Sequence, residues 1–274
     1  MPSIQFDQGL CLNFLITLVA FASKIFFSSC DLMVIQDIQE VSQYIEVKFE
    51  LSLQWKDARV LYYNIKPNEE MNTLTMDEQL SLWTPTLVFW NTKHQLRTMN
   101  DKNTFASIRQ EGNGSMIEKE TNEDIMVFQG SENSILLSRV YSIQFYCEYN
   151  MAWYPFDIQT CNIELIMDGV LENYADLLPG SLVFSGPKEL TQYFVKNFEI
   201  RKDRIQTKYA VTVSMTLGRR LLGTFLTIFF PTILLNVIGY STNFFKAFFF
   251  EVSITVFILL MIMYLFCRLL SLST

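Results

Sequence analysis

Apolar and polar residues alternate along several stretches of the first 220 positions. Ile45, Val47, Phe49, Leu51, Leu53 and Trp55 interleave with Glu46, Lys48, Glu50, Ser52 and Gln54. A period of two held over eleven residues predicts a strand with one wet face. Tyr209, Val211, Val213, Met215 and Leu217 repeat the pattern. Weaker signals predict strands over residues 87–91, 135–145, 158–167 and 194–200. Asn113-Gly114, inside a polar stretch at 110–115, is a turn and a hairpin signal. Strands at such short intervals predict an all-β sandwich over residues 23–218.

The pattern changes at residue 221. The last 54 residues carry three charges, Lys246, Glu251 and Arg268, whereas the other 46 Lys, Arg, Asp and Glu precede them. Residues 221–240 hold no charge. At about 1.5 Å per residue, such a helix spans roughly 30 Å, the hydrocarbon thickness of a bilayer. Residues 247–267 form a second run, with Glu251 one turn from its start. Buried helices of this length in soluble proteins normally keep a polar face. The expectation is a transmembrane α-helical hairpin within a membrane region at 219–274, in contact with lipid.

A third apolar run begins at Leu10 and ends in Ala20-Phe21-Ala22, the small-x-small pattern of signal-peptidase sites. Residues 1–22 therefore read as a signal peptide, with an uncleaved anchor or a buried strand as the alternatives. Secretion places the body outside the cell and makes the chain a multi-pass plasma-membrane protein. Arg219 and Arg220 then lie outside, against the positive-inside bias, which weakens for long translocated domains.

Composition narrows the function. Only 18% of residues are charged and the formal net charge is −7, with 24 Phe. That disfavours disorder and nucleic-acid binding, which needs a basic face. The one histidine, His94, sits in a polar loop-like stretch. No histidine-centred catalytic or zinc site can be assembled around it, and no Gly-rich phosphate loop occurs. The expectation is no enzyme, no metal and no cofactor. Of five cysteines, Cys11 leaves with the signal and Cys267 lies in the membrane run. Cys147 and Cys161 remain as a natural pair for a disulfide in an oxidising compartment, with Cys30 left over. Closing a loop of about 15 residues constrains the unfolded chain by roughly 3 kcal/mol. Asn113-Gly114-Ser115 is a glycosylation sequon, suited to an extracellular loop.

Residues 147–161 read CEYNMAWYPFDIQTC, two cysteines flanking thirteen residues around Tyr154-Pro155-Phe156-Asp157. This resembles the signature loop of the Cys-loop, or pentameric, ligand-gated ion channels. Trp55-Lys56-Asp57-Ala58-Arg59 resembles the family's Trp-x-Asp-x-Arg. Trp83-Thr84-Pro85 resembles its Trp-x-Pro-Asp segment, with Thr86 where Asp is usual. Glu40-Val41-Ser42-Gln43 resembles the loop between its first two strands, and Arg219 stands twelve residues before Pro231, as in its first membrane helix. Residues 243–251 look most like divergent invertebrate members, and the chain reads as truncated after the second transmembrane segment.

The resemblance implies a homo- or hetero-pentamer with homologous subunits, a small-molecule ligand bound between neighbouring sandwiches, and an inorganic ion conducted through the pore. It implies gating coupling through Glu40, Asp157, Pro155 and Arg219. It implies ligand contacts at Trp90, seven residues after Trp83, at Asp168, seven after Cys161, at Glu50 with Ser52 on the same strand face, and at Lys208 with Tyr209. Family members bind amines through aromatic faces, yet two of these positions are acidic and one is basic. Either the ligand is unusual or the subunit binds none. Glu251 and Thr255 are the pore candidates, and a ring of carboxylates favours cations. The alternative is a non-conducting, membrane-anchored protein that binds ligand or modulates pentamers.

Overall fold

The computed structural model describes residues 3–6, 24–118, 124–167, 176–205, 208–242, 254–259, 261, 262 and 264. The strands are β1 (Ser3–Phe6), β2 (Lys24–Gln39), β3 (Tyr44–Lys56), β4 (Val60–Tyr63), β5 (Leu87–Phe89), β6 (Thr104–Arg109) and β7 (Ser115–Glu118), then β8 (Asp124–Gln129), β9 (Ser134–Tyr146), β10 (Ile158–Met167), β11 (Asp176–Leu178), β12 (Ser181–Phe184), β13 (Tyr193–Ile205) and β14 (Lys208–Arg219). A first sheet runs β11-β2-β3-β9-β6 with β12 also on β2, a second β13-β14-β10-β5, and a third β1-β4-β8-β7. The sandwich expected from the alternation is present, and β3, β9, β10, β13 and β14 cover the stretches that signalled them.

The alternation of β3 explains how the two larger sheets meet. Ile45, Val47, Phe49, Leu51, Leu53 and Trp55 are all buried, and their polar neighbours face the other way. Phe49 packs edge-on against Phe89 of β5 at 5.8 Å between centroids, and beside Tyr141 and Phe145 of β9. Edge-to-face aromatic pairs of this kind add to the burial of apolar area. One core therefore joins the first sheet to the second. The Trp-x-Asp-x-Arg segment spans the end of β3 and the turn that follows it. Asp57, 1% exposed, accepts from Arg59 Nε at 2.9 Å and Nη2 at 2.7 Å.

Three features depart from the sequence expectation. The 16-residue β2 went unread because its register against β3 shifts at three places, which breaks the period of two. The polar stretch at 110–115 closes no hairpin, since β6 pairs with β9 while β7 pairs with β8. The fully buried Asn133 takes the amides of Glu111 and Gly112 on its Oδ1, at 2.9 and 3.1 Å, so this segment crosses between sheets. Lastly, no helix among the described residues is long and apolar enough to cross a membrane. The expected span at 221–240 comprises α2 (Leu221–Thr224), a π-helical segment (Phe225–Phe229) and α3 (Phe230–Thr242), after a short α1 (Met76–Ser81) in the sandwich. Pro231 lacks an N–H and crowds the carbonyl four residues back, at position 227, which falls within the π segment. Of the second expected span, only 254–259, 261, 262 and 264 are described, all helical. The expected leader lies outside the described residues, apart from 3–6, which pair antiparallel with β4.

Gly130 donates its N–H to the Val60 carbonyl at 2.9 Å, and a Cβ there would stand 2.2 Å from the Asp57 carbonyl oxygen. Backbone cannot yield as a side-chain tip does. Gly130→Ala is expected to cost about 2 kcal/mol or more, read as a lowered midpoint in chemical denaturation.

Candidate functional site

Arg219 is the last residue of β14, two positions from the start of α2. Its alternation partners Val211, Val213, Met215 and Leu217 point into the core, and Arg219 keeps their phase. The chain therefore buries a guanidinium at the end of a core-facing row, with 4% of the side chain exposed. A charge so placed must be fully paired. Asp157, whose side chain is 1% exposed, receives Nε at 2.7 Å and Nη2 at 3.1 Å, a two-pronged bridge. Glu40 receives Nη2 at 2.8 Å. Tyr193 Oη lies 2.6 Å from Nη2 and donates to Glu40. The guanidinium carbon also sits over the rings of Tyr193 and Tyr154, at 4.7 and 4.8 Å.

The loop 147–161 delivers Asp157 to this point. Cys147 and Cys161 are joined in a disulfide, with 5.1 Å between Cα atoms. Gln159, 1% exposed, bridges the loop by accepting from Asn150 N and donating to Asn150 O, both at 2.9 Å, and donates to Asp157 Oδ2 at 2.5 Å. Pro155 is buried beside it, whereas Trp153 and Phe156 are 79% and 73% exposed. Val41, next to Glu40, is 70% exposed.

Burial alone would push the Asp157 carboxyl up, but hydrogen bonds from Arg219 and Gln159 outweigh it and hold the group below its ordinary value. Burial alone would ease the proton off Arg219, yet Asp157, Tyr193 and Glu40 keep it above the ordinary arginine value. The Tyr193 hydroxyl is pushed up, first by burial and then by its bond to Glu40.

The residues expected to touch ligand fall on two different outer faces. Glu50 and Ser52 occupy the outward side of β3, between the inward-facing Phe49, Leu51 and Leu53. The Glu50 carboxylate accepts from Ser138 of β9, which also meets the Ser52 hydroxyl at 3.2 Å. Trp90 follows β5 and packs with Val88, Ile166 and Ala210 on the outward side of the second sheet. Lys208 and Tyr209 begin β14 of that same sheet, paired with Ile205 and Arg204. One chain thus brings Trp90 to one outward face and Glu50 with Ser52 to the other. Asp168 and Glu251 lie outside the described residues. Thr255 is helical and exposed, Asn113 and His94 are exposed, and Cys30 is a buried free thiol whose pKa is pushed up to about 12 by burial and Asp31.

Three residues of the site escaped sequence reading. Tyr193 is the strand partner of Arg219, a register that alternation on both strands could have supplied. Gln159 carries no local signal. Asn91 donates to the carbonyls of Asn162 and Tyr146, at 2.6 and 3.3 Å, and accepts from Glu164 N at 3.1 Å, which fixes the Trp90 turn to β10 and to the end of β9.

Comparison with known proteins now bears on this geometry. The family described as neurotransmitter-gated ion-channel ligand binding domain matches residues 25–168. Human gamma-aminobutyric acid receptor subunit rho-3 is 24% identical over 172 residues, covering 60% of this chain and 31% of the relative. Glycine receptor subunit beta, from human and from Rattus norvegicus, is 24% identical over 215 residues, covering 74% of this chain and 39% of the relative. The chain spans between three and four tenths of the length of these relatives.

Arg219→Ala strands a buried Asp157 and is expected to cost about 3–5 kcal/mol in chemical denaturation, with Arg219→Lys intermediate because a lysine cannot make the two-pronged bridge. Acidification checks the same pair. The folded-state pKa of Asp157 is depressed, so its contribution is complete above the ordinary carboxylate range, near pH ~4, and is lost as pH falls below it. Asp157→Asn should flatten that acid limb of the stability curve.

Proposed function

The chain belongs to the neurotransmitter-gated ion-channel ligand-binding domain family, and on that premise we propose that it is a receptor subunit of an extracellular ligand-gated ion channel in the plasma membrane. The family is one of channels rather than enzymes. Copies of the sandwich, or of homologous subunits, stand in a pentameric ring, and a small molecule binds where two sandwiches meet. The division of the ligand positions between opposite outward faces supports this reading. Trp90 lies on the outward face of the second sheet, whose strand β14 begins at Lys208, and Glu50 and Ser52 lie on the outward face of the first, so only a neighbour's face can complete the set. A cyclic ring supplies that heterologous contact five times.

The Arg219 cluster is the single observation that carries the transmission half of the proposal. It ties the disulfide loop, the Glu40 turn and the start of the helices into one buried ion-pair network. A ligand that favours one arrangement of the sandwich thereby biases the helices. The exposed Trp153, Phe156 and Val41 flank that joint and offer apolar contact to a membrane-embedded partner or to lipid.

Glu50 places a carboxylate at the proposed ligand boundary, which favours a ligand with a positive group. The relatives are named for gamma-aminobutyric acid and glycine, both amines, and these two compounds are the first probes. The chain is to be expressed in oocytes under voltage clamp, alone and with a full-length relative. Surface exposure of the sandwich with an amine-evoked current, or a changed current from the relative, is the expected result, and Arg219→Ala should remove either. Current from the chain alone assigns it conduction. An effect only on the relative's current assigns it the modulating role. A sandwich that never reaches the surface and alters no current contradicts the proposal.

A further inference from the structure

The third sheet ends on an open strand. β7 pairs with β8 alone among the described residues, so the backbone groups of its outer edge have no ladder partner there. Native proteins blunt such an edge, often with Lys or Pro, because it templates pairing with another chain. β7 reads Ser-Met-Ile-Glu, with neither Lys nor Pro, and Met116 on it is 71% exposed. The approach to this strand is firmly held. Beyond the two amides that Asn133 takes, the Glu111 carboxylate pairs with Lys56 at 2.7 Å and accepts from Ser134 at 2.7 Å and Gln54 at 3.0 Å. On the other side, Gly114 lies against the buried Phe128, where a Cβ would stand 2.7 Å from the ring. Asn113 sits exposed between these two anchored points, and its side-chain amide makes no hydrogen bond among the described residues.

We propose, given the extracellular sandwich of the receptor reading, that Asn113 carries an N-linked glycan which covers the open edge of β7. Asn113-Gly114-Ser115 is the acceptor pattern. In the transfer, Asn113 Nδ2 displaces the pyrophosphate of a lipid-linked oligosaccharide from the anomeric carbon of its first sugar. A carbon–nitrogen bond forms and the carbon–oxygen bond to pyrophosphate breaks. The amide gives one proton to a base of the transferring enzyme, and the lipid pyrophosphate leaves. The transfer also requires the Ser115 hydroxyl, which in the folded chain donates to the Val127 carbonyl at 3.3 Å. Attachment therefore precedes the pairing of β7 with β8. Geometry supplies the cover. The four residues of β7 extend roughly 13 Å, which a branched oligosaccharide rooted two residues before the strand can span. A glycan is bulky and solubilising, and the anchors on either side of Asn113 keep its root beside this edge.

The test expresses the full chain in cultured animal cells, isolates the surface fraction by biotinylation and treats it with peptide-N-glycosidase. A downward gel shift is expected, with position 113 deamidated in the tryptic peptide. Asn113→Gln and Ser115→Ala should each remove the shift, and Ser115→Thr should keep it. Enzymatic trimming of the purified chain in detergent should raise its aggregated fraction in size-exclusion chromatography about threefold or more, and Met116→Lys should suppress that rise by placing a charge on the bared edge. Trimming acts after folding, so its outcome stands even where Asn113→Gln fails to fold. A surface-exposed chain without the shift overturns the glycan and leaves the receptor reading untouched, since that reading is measured as current. A chain neither shifted nor at the surface overturns both. Trimming that leaves aggregation unchanged overturns the cover.

Discussion

A guanidinium almost wholly removed from water governs this molecule. Arg219 ends a strand whose alternate residues form the core, so its position is fixed by the same pleat that buries Val211 through Leu217. Having no route to solvent, it draws to itself every group that can neutralise or hydrogen-bond it. Asp157 comes from the disulfide loop, Glu40 from the turn between β2 and β3, and Tyr193 from the neighbouring strand. Buried ion pairs are weak stabilisers, because desolvation cancels much of the attraction. What they impose is arrangement. These four residues can coexist in this setting only when loop, turn and helix start are correctly placed.

Pleat geometry also dictates where ligand positions can be. Successive residues of a strand face opposite sides, and a sandwich has two outward faces. Residues on the outward sides of different sheets cannot converge within one chain. The separation of Trp90 from Glu50 and Ser52 is therefore a consequence of sheet construction, and a site using both must be assembled between molecules. The Asn91 clamp ties the Trp90 turn to Tyr146, the last residue of β9 and the neighbour of Cys147, so the aromatic position and the disulfide loop share a mechanical floor.

Where a strand keeps strict alternation, the sequence alone was enough to place it. β3 and β14 are clear in the pattern, the disulfide follows from the cysteine count, and the trio of Arg219, Asp157 and Glu40 comes from the family resemblance alone. β2 was hidden by its bulges, since each extra residue reverses the facing of every residue beyond it. The polar turn at 110–115 misled because the side chain of Asn133, twenty residues away, supplies its partners. Asn91 and Gln159 act through hydrogen bonds to backbone distant in sequence, and a lone amide carries no periodic signal. The break of helical register near Pro231 was likewise invisible to an apolar count, which registers length but not hydrogen-bond pattern.

The central claim is that Arg219 and Asp157 act as one unit at the joint. A double-mutant cycle tests it most directly, with Arg219→Met, Asp157→Leu and the double variant of the full chain compared by chemical denaturation. Shared dependence predicts that each single change is costly while the double change recovers stability, a coupling of about 2 kcal/mol or more. Losses that simply add, to within about 0.5 kcal/mol, would contradict the claim and reduce the pair to two unrelated buried residues.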